Sequence, residues 1–263
     1  MSSLAYAVHD SATMLRRNLK HAIRYPSVSL GSAALPVMML LLFVYAFGDS
    51  IGGGIGGAGA SRDVYLEYLT PGIVIMGVAA GSMSTSIAVC SDMTEGIINR
   101  FRTMNITRSS FMTGHVLGSV IQTMFGVTVV VGVALAIGFR PDANVLEWLA
   151  ATGLLVAIAF ALTWLSVALG LISKTVEAAS NKPLIIQFLP FIGSAFVPAD
   201  SMSPGLRWFA EYQPFTPMIE TLRGLLTGTA IGNDAWIALA WCAAVALVGY
   251  AWSRSLFNRS TTR

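Results

Sequence analysis

The chain has 263 residues, of which 55% are hydrophobic and 11% charged, with a formal net charge of +3. A soluble domain carries about 25% charged residues, so this composition excludes a water-exposed globule, a disordered chain and a secreted disulfide scaffold. It describes an all-α polytopic membrane protein, with room for about six spans of about 20 residues each and none for a large catalytic domain.

Residues 1–26 form the first unit. Within it, 4–25 read as an amphipathic helix: Val8, Ala12, Leu15, Leu19, Ala22 and Ile23 make one stripe, with Arg16, Arg17, Lys20 and Arg24 on its flank and far side. Pro26 ends it. Such a helix lies in the membrane interface, as a lipid anchor or as a lever touching a cytoplasmic partner. Residues 27–263 form the transmembrane domain. Its first run, 27–47, begins too late and is too long for a signal peptide, so it is expected to remain as a span. Pro36 within it is tolerable among neighbouring helices. The glycine-rich tract 52–59 lacks the Lys-Ser/Thr and the preceding strand of a phosphate loop, and reads as a connection.

The second run, 68–90, carries Gly77 and Gly81 at small-xxx-small spacing, with Ser82, Ser84, Thr85 and Ser86 beside them. Helix packing explains this composition; the alternative is that the hydroxyls line a path. The 91–115 loop is long for a connector. Asp92 and Glu95 can start a short helix, Gly96 interrupts its start, and Ile97, Ile98, Phe101 and Met104 form an apolar stripe with Arg100 and Arg102 off it. It reads either as a helix resting on lipid or as a docking element for a soluble partner. Runs three and four are 116–139 and 148–172. The fifth, 184–198, is short and holds Pro190 and Pro198; Gln187 is its most polar side chain, beside Phe188 and Phe191. Aromatic and amide groups suit an amphiphilic cargo. Between the fifth run and the sixth, 235–253, two stretches too short to cross, 205–213 and 215–227, predict short helices folded back into the outer leaflet. Glu220 and Arg223 are spaced to pair there.

Orientation follows from the basic residues. Six spans put Arg16, Arg17, Lys20, Arg24, Arg100, Arg102, Arg108, Lys174, Lys182, Arg254, Arg259 and Arg263 on one side, and only Arg62, Arg140, Arg207 and Arg223 on the other. Both termini are therefore expected to be cytoplasmic. The basic character belongs to one membrane face, where anionic lipid attracts it, and carries no nucleic-acid signature. Cys90 and Cys242 read as small buried hydrophobes, and His9, His21 and His115 have no ligand spacing. None of the six runs holds a His or an Asp. An intramembrane lipid-modifying enzyme needs a nucleophile–base pair or metal set at depth, and an ion-coupled carrier needs ionisable groups there. Both remain as alternatives to a transport subunit without its own chemistry.

The segment EGIINRFRTMNITRSSFMTGHVLG, residues 95–118, resembles the cytoplasmic segment of bacterial type-2 ABC permeases of the daunorubicin/doxorubicin-resistance kind. The segment FVPADSMSPGLRWFAEYQPFTPMIETLRGLLTG, residues 196–228, resembles their outer hairpin. Asn105 departs from the pattern, standing where the family usually has proline. The resemblance implies a six-span half-transporter in the bacterial cytoplasmic membrane, exporting hydrophobic drugs, lipids or glycoconjugates. A second permease chain, identical or sister, pairs with it. Two separate ATPase subunits supply Mg-ATP hydrolysis, leaving this chain without a cofactor. ATPase coupling would fall on Glu95, Gly96, Ile98, Arg100, Phe101 and Arg102, flanked by the interfacial helix with Arg16 and Arg17. The second and fifth spans would line the path.

Overall fold

The computed structural model describes residues 26–56, 62–94 and 108–260. Among them the regular structure is helical, without a strand. The helices are α1 (Pro26–Gly56), α2 (Arg62–Thr94), α3 (Arg108–Ala136), α4 (Val145–Leu171), α5 (Val176–Asn181), α6 (Leu184–Phe188), α7 (Pro204–Tyr212), α8 (Phe215–Thr227) and α9 (Asp234–Ser260). Five stretches are long and apolar enough to cross a membrane: Ala33–Ile51, Arg62–Thr94, Thr113–Ala136, Val145–Leu171 and Asp234–Leu256. They contain or overlap the first, second, third, fourth and sixth apolar runs. The expected helix within 1–25 and the expected coupling helix near 95–104 lie outside the described residues.

The helices outrun the apolar runs. α2 has 33 residues, about 50 Å at 1.5 Å per residue. Asp92 and His115, which the sequence placed in a loop, therefore belong to α2 and α3. α4 starts at Val145 because Asn144 and Glu147 make a capping box: the Glu147 amide donates to Asn144 Oδ1 (3.0 Å) and the Asn144 amide to Glu147 Oε2 (2.7 Å).

α2 is the central element, packed on α1, α3, α4, α5 and α8. Leu66, Leu69, Ile73, Ile75 and Met76 on it are fully buried, with Ile158 of α4 and Ile219 and Leu222 of α8. A helix apolar all round belongs in such a position. α9 packs chiefly on α4. α1 and α9 instead expose apolar side chains, among them Met38, Leu42, Trp236, Trp241 and Leu247, as helices facing lipid or another chain do.

The fifth run does not form one helix. α6 ends at Phe188, a tight 3-10 turn covers Leu189–Ile192, and bends follow. Pro190 has no N–H to continue the α-helical ladder. The broken segment nevertheless follows α2 closely. The Cys90 thiol donates to the Ser173 carbonyl (3.6 Å), and the Ser86 hydroxyl to that of Ala179 (2.9 Å). The Tyr68 hydroxyl donates to the Ser194 carbonyl (2.8 Å). A Cβ on Gly72 would stand 2.7 Å from the Ala195 Cα, so only glycine admits this approach. Residues 173–195 thus run antiparallel to α2 from Cys90 to Gly72. Those 18 positions of α2 rise about 27 Å.

Candidate functional site

The four polar residues singled out on α2 all spend their hydroxyl protons inside the protein. Ser82 donates back to the Val78 carbonyl (2.9 Å) and Ser84 to that of Gly81 (2.7 Å), bonds within the helix itself. Thr85 donates to the Ser119 hydroxyl of α3, and Ser86 to Ala179 of α5. Ser82, Thr85 and Ser86 are buried and Ser84 half-buried. Two of the four therefore tie α2 to neighbouring helices.

The three residues singled out in the fifth segment stand together. Gln187 is half-buried, Phe188 is exposed and Phe191 half-buried. The rings of Phe188 and Phe191 lie 5.8 Å apart. Further rings continue from them. Phe191 stacks on Phe196 at 5.0 Å with 15° between planes, Phe196 meets Phe43 of α1 at 4.6 Å, and Phe43 meets Phe47 at 5.5 Å. The i, i+4 spacing of Phe43 and Phe47 was the only visible hint.

At the Thr94 end of α2, Asp92 Oδ2 lies 2.9 Å from His115 Nε2, with both side chains largely buried. The pair holds α2 and α3 together beside the ends of the 95–107 segment. Nearby, Lys182 Nζ donates to the Ile172 carbonyl (3.2 Å) and the Ser173 hydroxyl (3.1 Å). A cation covering the carbonyls at the end of α4 suits the helix dipole. The residues expected to couple to an ATPase (Glu95, Gly96, Ile98, Arg100, Phe101, Arg102) and those of the interfacial helix (Arg16, Arg17, Lys20, Arg24) lie outside the described residues.

The opposite end carries a polar hub that the sequence showed only in part. Glu220 and Arg223 pair as their spacing suggests, at 2.5 Å. Arg223 also reaches two other segments. Its Nη2 donates to the Ser194 carbonyl (2.8 Å), and Nε and Nη2 donate to the Tyr68 carbonyl (3.3 and 3.2 Å). Its guanidinium sits 3.8 Å from the Tyr68 ring centre. Beyond the hub, α7 exposes Trp208 and Tyr212, in ring contact at 5.4 Å. Arg207 on α7 donates to Glu211 (2.7 Å) and lies 2.6 Å from Asp200. The Glu211 hydrogen bond first, then the Asp200 charge, hold its pKa above the ordinary value.

Among the described residues no group of three or more His, Cys, Asp or Glu is placed to hold a metal ion. What the site offers is surface: an amide, a strip of rings and tightly joined helices.

The family model described as ABC-2 type transporter matches residues 10–227. The daunorubicin resistance ABC transporter permease protein of Streptomyces coeruleorubidus is 26% identical over 245 residues, covering 93% of this chain and 83% of the relative. A probable doxorubicin resistance ABC transporter permease protein of Mycobacterium tuberculosis is 20% identical over 219 residues, covering 83% of this chain and 77% of its own length. With its apolar helices and a family match across most of its length, the chain is a multi-pass membrane protein that belongs to the ABC-2 type transporter family.

Proposed function

We propose that this chain is the permease subunit of an ATP-driven exporter in a bacterial cytoplasmic membrane. It moves a hydrophobic or amphiphilic substrate (a drug, lipid or glycolipid) outward and performs no chemistry of its own. Two permease chains, identical or sister, pair, and two ATPase subunits bind Mg-ATP below them. The observation that carries the reading is the family match over residues 10–227, joined by relatives named as drug-resistance permeases.

In this reading the chain crosses six times. Five crossings are the long helices. The sixth is the broken segment 173–195, whose climb of about 27 Å beside α2 approaches the ~30 Å of a hydrocarbon core. Backbone broken at that depth is tolerated where it is buried in protein or lines a wet cavity, as an export path requires. α7 and α8 re-enter from the outside. Both termini and the 95–107 segment face the cytoplasm, where Ile98 and Phe101 fill an apolar cleft on the ATPase and Glu95, Arg100 and Arg102 pair at its rim.

The test is co-expression with an ABC ATPase encoded beside it, purification of the complex and reconstitution into lipid vesicles. ATP hydrolysis should rise with added drug or lipid, and cargo should appear on the far side. Saturable nucleotide binding by the lone chain would overturn the reading.

A further inference from the structure

We propose that the exposed seam between α4 and α9 docks an anionic phospholipid of the cytoplasmic leaflet. Its phosphate sits on Arg254 and an acyl chain runs along Tyr250, Leu247, Phe160 and Val156. The proposal goes beyond the exporter reading and shares with it only the orientation in the membrane.

The basic side chains that the structure describes nearly all have partners. Arg62 lies over the Tyr45 ring, 4.8 Å from its centre. Arg140 donates to the carbonyls of Leu135 (2.9 Å) and Phe139 (3.0 Å). Lys182, Arg207 and Arg223 hold the contacts given above. Among the described residues, Lys174 and Arg254 are exposed with no carboxylate, carbonyl or ring against them. Lys174 follows the end of α4, where water serves it. Arg254 does not stand so far out.

Its depth follows from how α9 lies on α4. The Asp142 amide donates to the Leu226 carbonyl (3.1 Å), which brings the start of α4 to the end of α8, and α9 begins shortly after α8 ends. The two long helices therefore run the same way. A Cβ on Gly249 would stand 2.8 Å from the Leu165 amide nitrogen, and the Ser253 hydroxyl donates to the Trp164 carbonyl (3.3 Å). Beyond Trp164, α4 runs on to Leu171, a rise of about 10 Å. Arg254 follows Ser253 directly, so its backbone lies roughly one to two turns short of the cytoplasmic end of α4, inside the apolar layer. An exposed cation at that depth extends along its stem to the headgroup level, where the leaflet is anionic. A guanidinium matches phosphate oxygens with paired N–H groups.

Below Arg254 the seam is apolar. Leu247, Tyr250 and Arg254, at i, i+3 and i+7, share one face of α9, with Leu247 68% and Tyr250 41% exposed. The Tyr250 ring meets Trp164 edge-on at 5.0 Å, and Trp164 meets Phe160 at 6.2 Å. Trp164 is the buried floor of the seam, and Phe160 and Val156, each a turn further, are exposed. From Trp164 to Val156 the seam descends about 12 Å, most of the ~15 Å of half a hydrocarbon core. An acyl chain gains contact area along it. The seam belongs to α4 and α9, whereas the proposed path follows α2 and residues 173–195, so this lipid is held rather than carried.

The test measures binding to the purified full-length chain by native mass spectrometry. The probes are phosphatidylglycerol, phosphatidylcholine with the same acyl chains, and soluble glycerol 3-phosphate. The parent should prefer phosphatidylglycerol ~5-fold or more over phosphatidylcholine and ignore glycerol 3-phosphate at the same concentration. Arg254→Gln should abolish the preference, Arg254→Lys should keep most of it, and Lys174→Gln should leave it within about twofold. Leu247→Ser removes chain contact and no charge, so it should weaken both lipids ~2–3-fold. All are read on chains whose lipid-free thermal unfolding matches the parent. An unchanged preference in Arg254→Gln overturns the proposal. So does an equal loss in Lys174→Gln, which would mean diffuse surface charge, or glycerol 3-phosphate binding as strongly as lipid, which would mean a free-anion site. No effect of Leu247→Ser on either lipid takes the acyl chain off the seam and overturns it as well. Efficient oxidative cross-linking of Leu247→Cys between two copies in membranes (with Cys90→Ala and Cys242→Ala) does the same, since a second chain would then cover the seam. None of these readouts uses ATP, so failure of the exporter reading leaves the seam standing.

Discussion

Arg223 joins three stretches that lie far apart in the chain: the Tyr68 turn of α2, the Ser194 bend and its own helix α8. Its guanidinium is largely buried, and its directed donors meet two carbonyls and a carboxylate at once. Lysine supplies a single point charge and cannot do this. Removing the guanidinium strands Glu220 and two carbonyls, so Arg223→Ala should cost about 3 kcal/mol, read as a lowered unfolding midpoint in detergent. Arg223→Lys should fall between. Glu220→Gln should cost less, because Glu220 is about a third exposed and water shares its charge. Equal midpoints for Arg223→Ala and the parent would show that the hub does not hold these segments. The Glu220–Arg223 spacing was legible in the sequence, being local helix geometry. The carbonyl targets were not, because Ser194 reaches Arg223 only after the chain breaks at Pro190 and folds back along α2.

The α2–α3 pairing repeats one theme at successive turns. His115, Ser119 and Thr123, four residues apart on α3, meet Asp92, Thr85 and Gly81 of α2. A Cβ on Gly81 would lie 2.6 Å from Thr123 Oγ1 and 2.9 Å from its Cγ2, and a β-branched threonine has little freedom to move aside. Gly81→Leu should therefore separate the helices at a cost of about 1–3 kcal/mol. Ser119→Ala, which removes only the hydroxyl facing Thr85, should cost about 0.6 kcal/mol, the usual worth of such a bond between membrane helices. Thermal unfolding of the two variants side by side checks the order. A Ser119→Ala loss equal to that of Gly81→Leu would mean that hydrogen bonding, not close approach, sets the interface. The sequence displayed Gly77 and Gly81 as packing residues without showing their partner, since helix order in space is not written in any one run. The fifth apolar run exposed a different limit. Hydropathy measures how much chain lipid can accept, not whether its backbone is continuous, so 184–198 read as a short span when its path along α2 begins at Ser173 and is broken at Pro190. The long helices were legible because apolar length alone specifies them.

At the scale of the whole molecule the unequal placing of basic residues makes the topology testable. Ser61 precedes the first residue of α2 and Ser260 is the last of α9. In intact cells an impermeant thiol reagent should label Ser61→Cys and spare Ser260→Cys; the reverse pattern would invert the proposed orientation. That orientation carries a consequence for energy transfer. In the proposed reading ATP is hydrolysed on a partner, so work enters through a cytoplasmic contact joined rigidly to a crossing helix. The segment after Thr94 continues directly from α2, the helix against which most others pack. At its far side it enters α3, which the Asp92–His115 pair ties back to α2. In that reading a push on this segment is delivered to the centre of the bundle. Buried aromatic side chains usually dominate such contacts, at about 2 kcal/mol or more per truncation, whereas exposed rim charges contribute roughly 0–1 kcal/mol. Phe101→Ala should therefore lower ATPase co-purification and cargo-stimulated hydrolysis at least ~10-fold, with insertion and permease pairing intact. Arg102→Ala should change both by about fivefold or less. If Phe101→Ala keeps both at parent levels, the segment rests on lipid and the ATPase docks elsewhere.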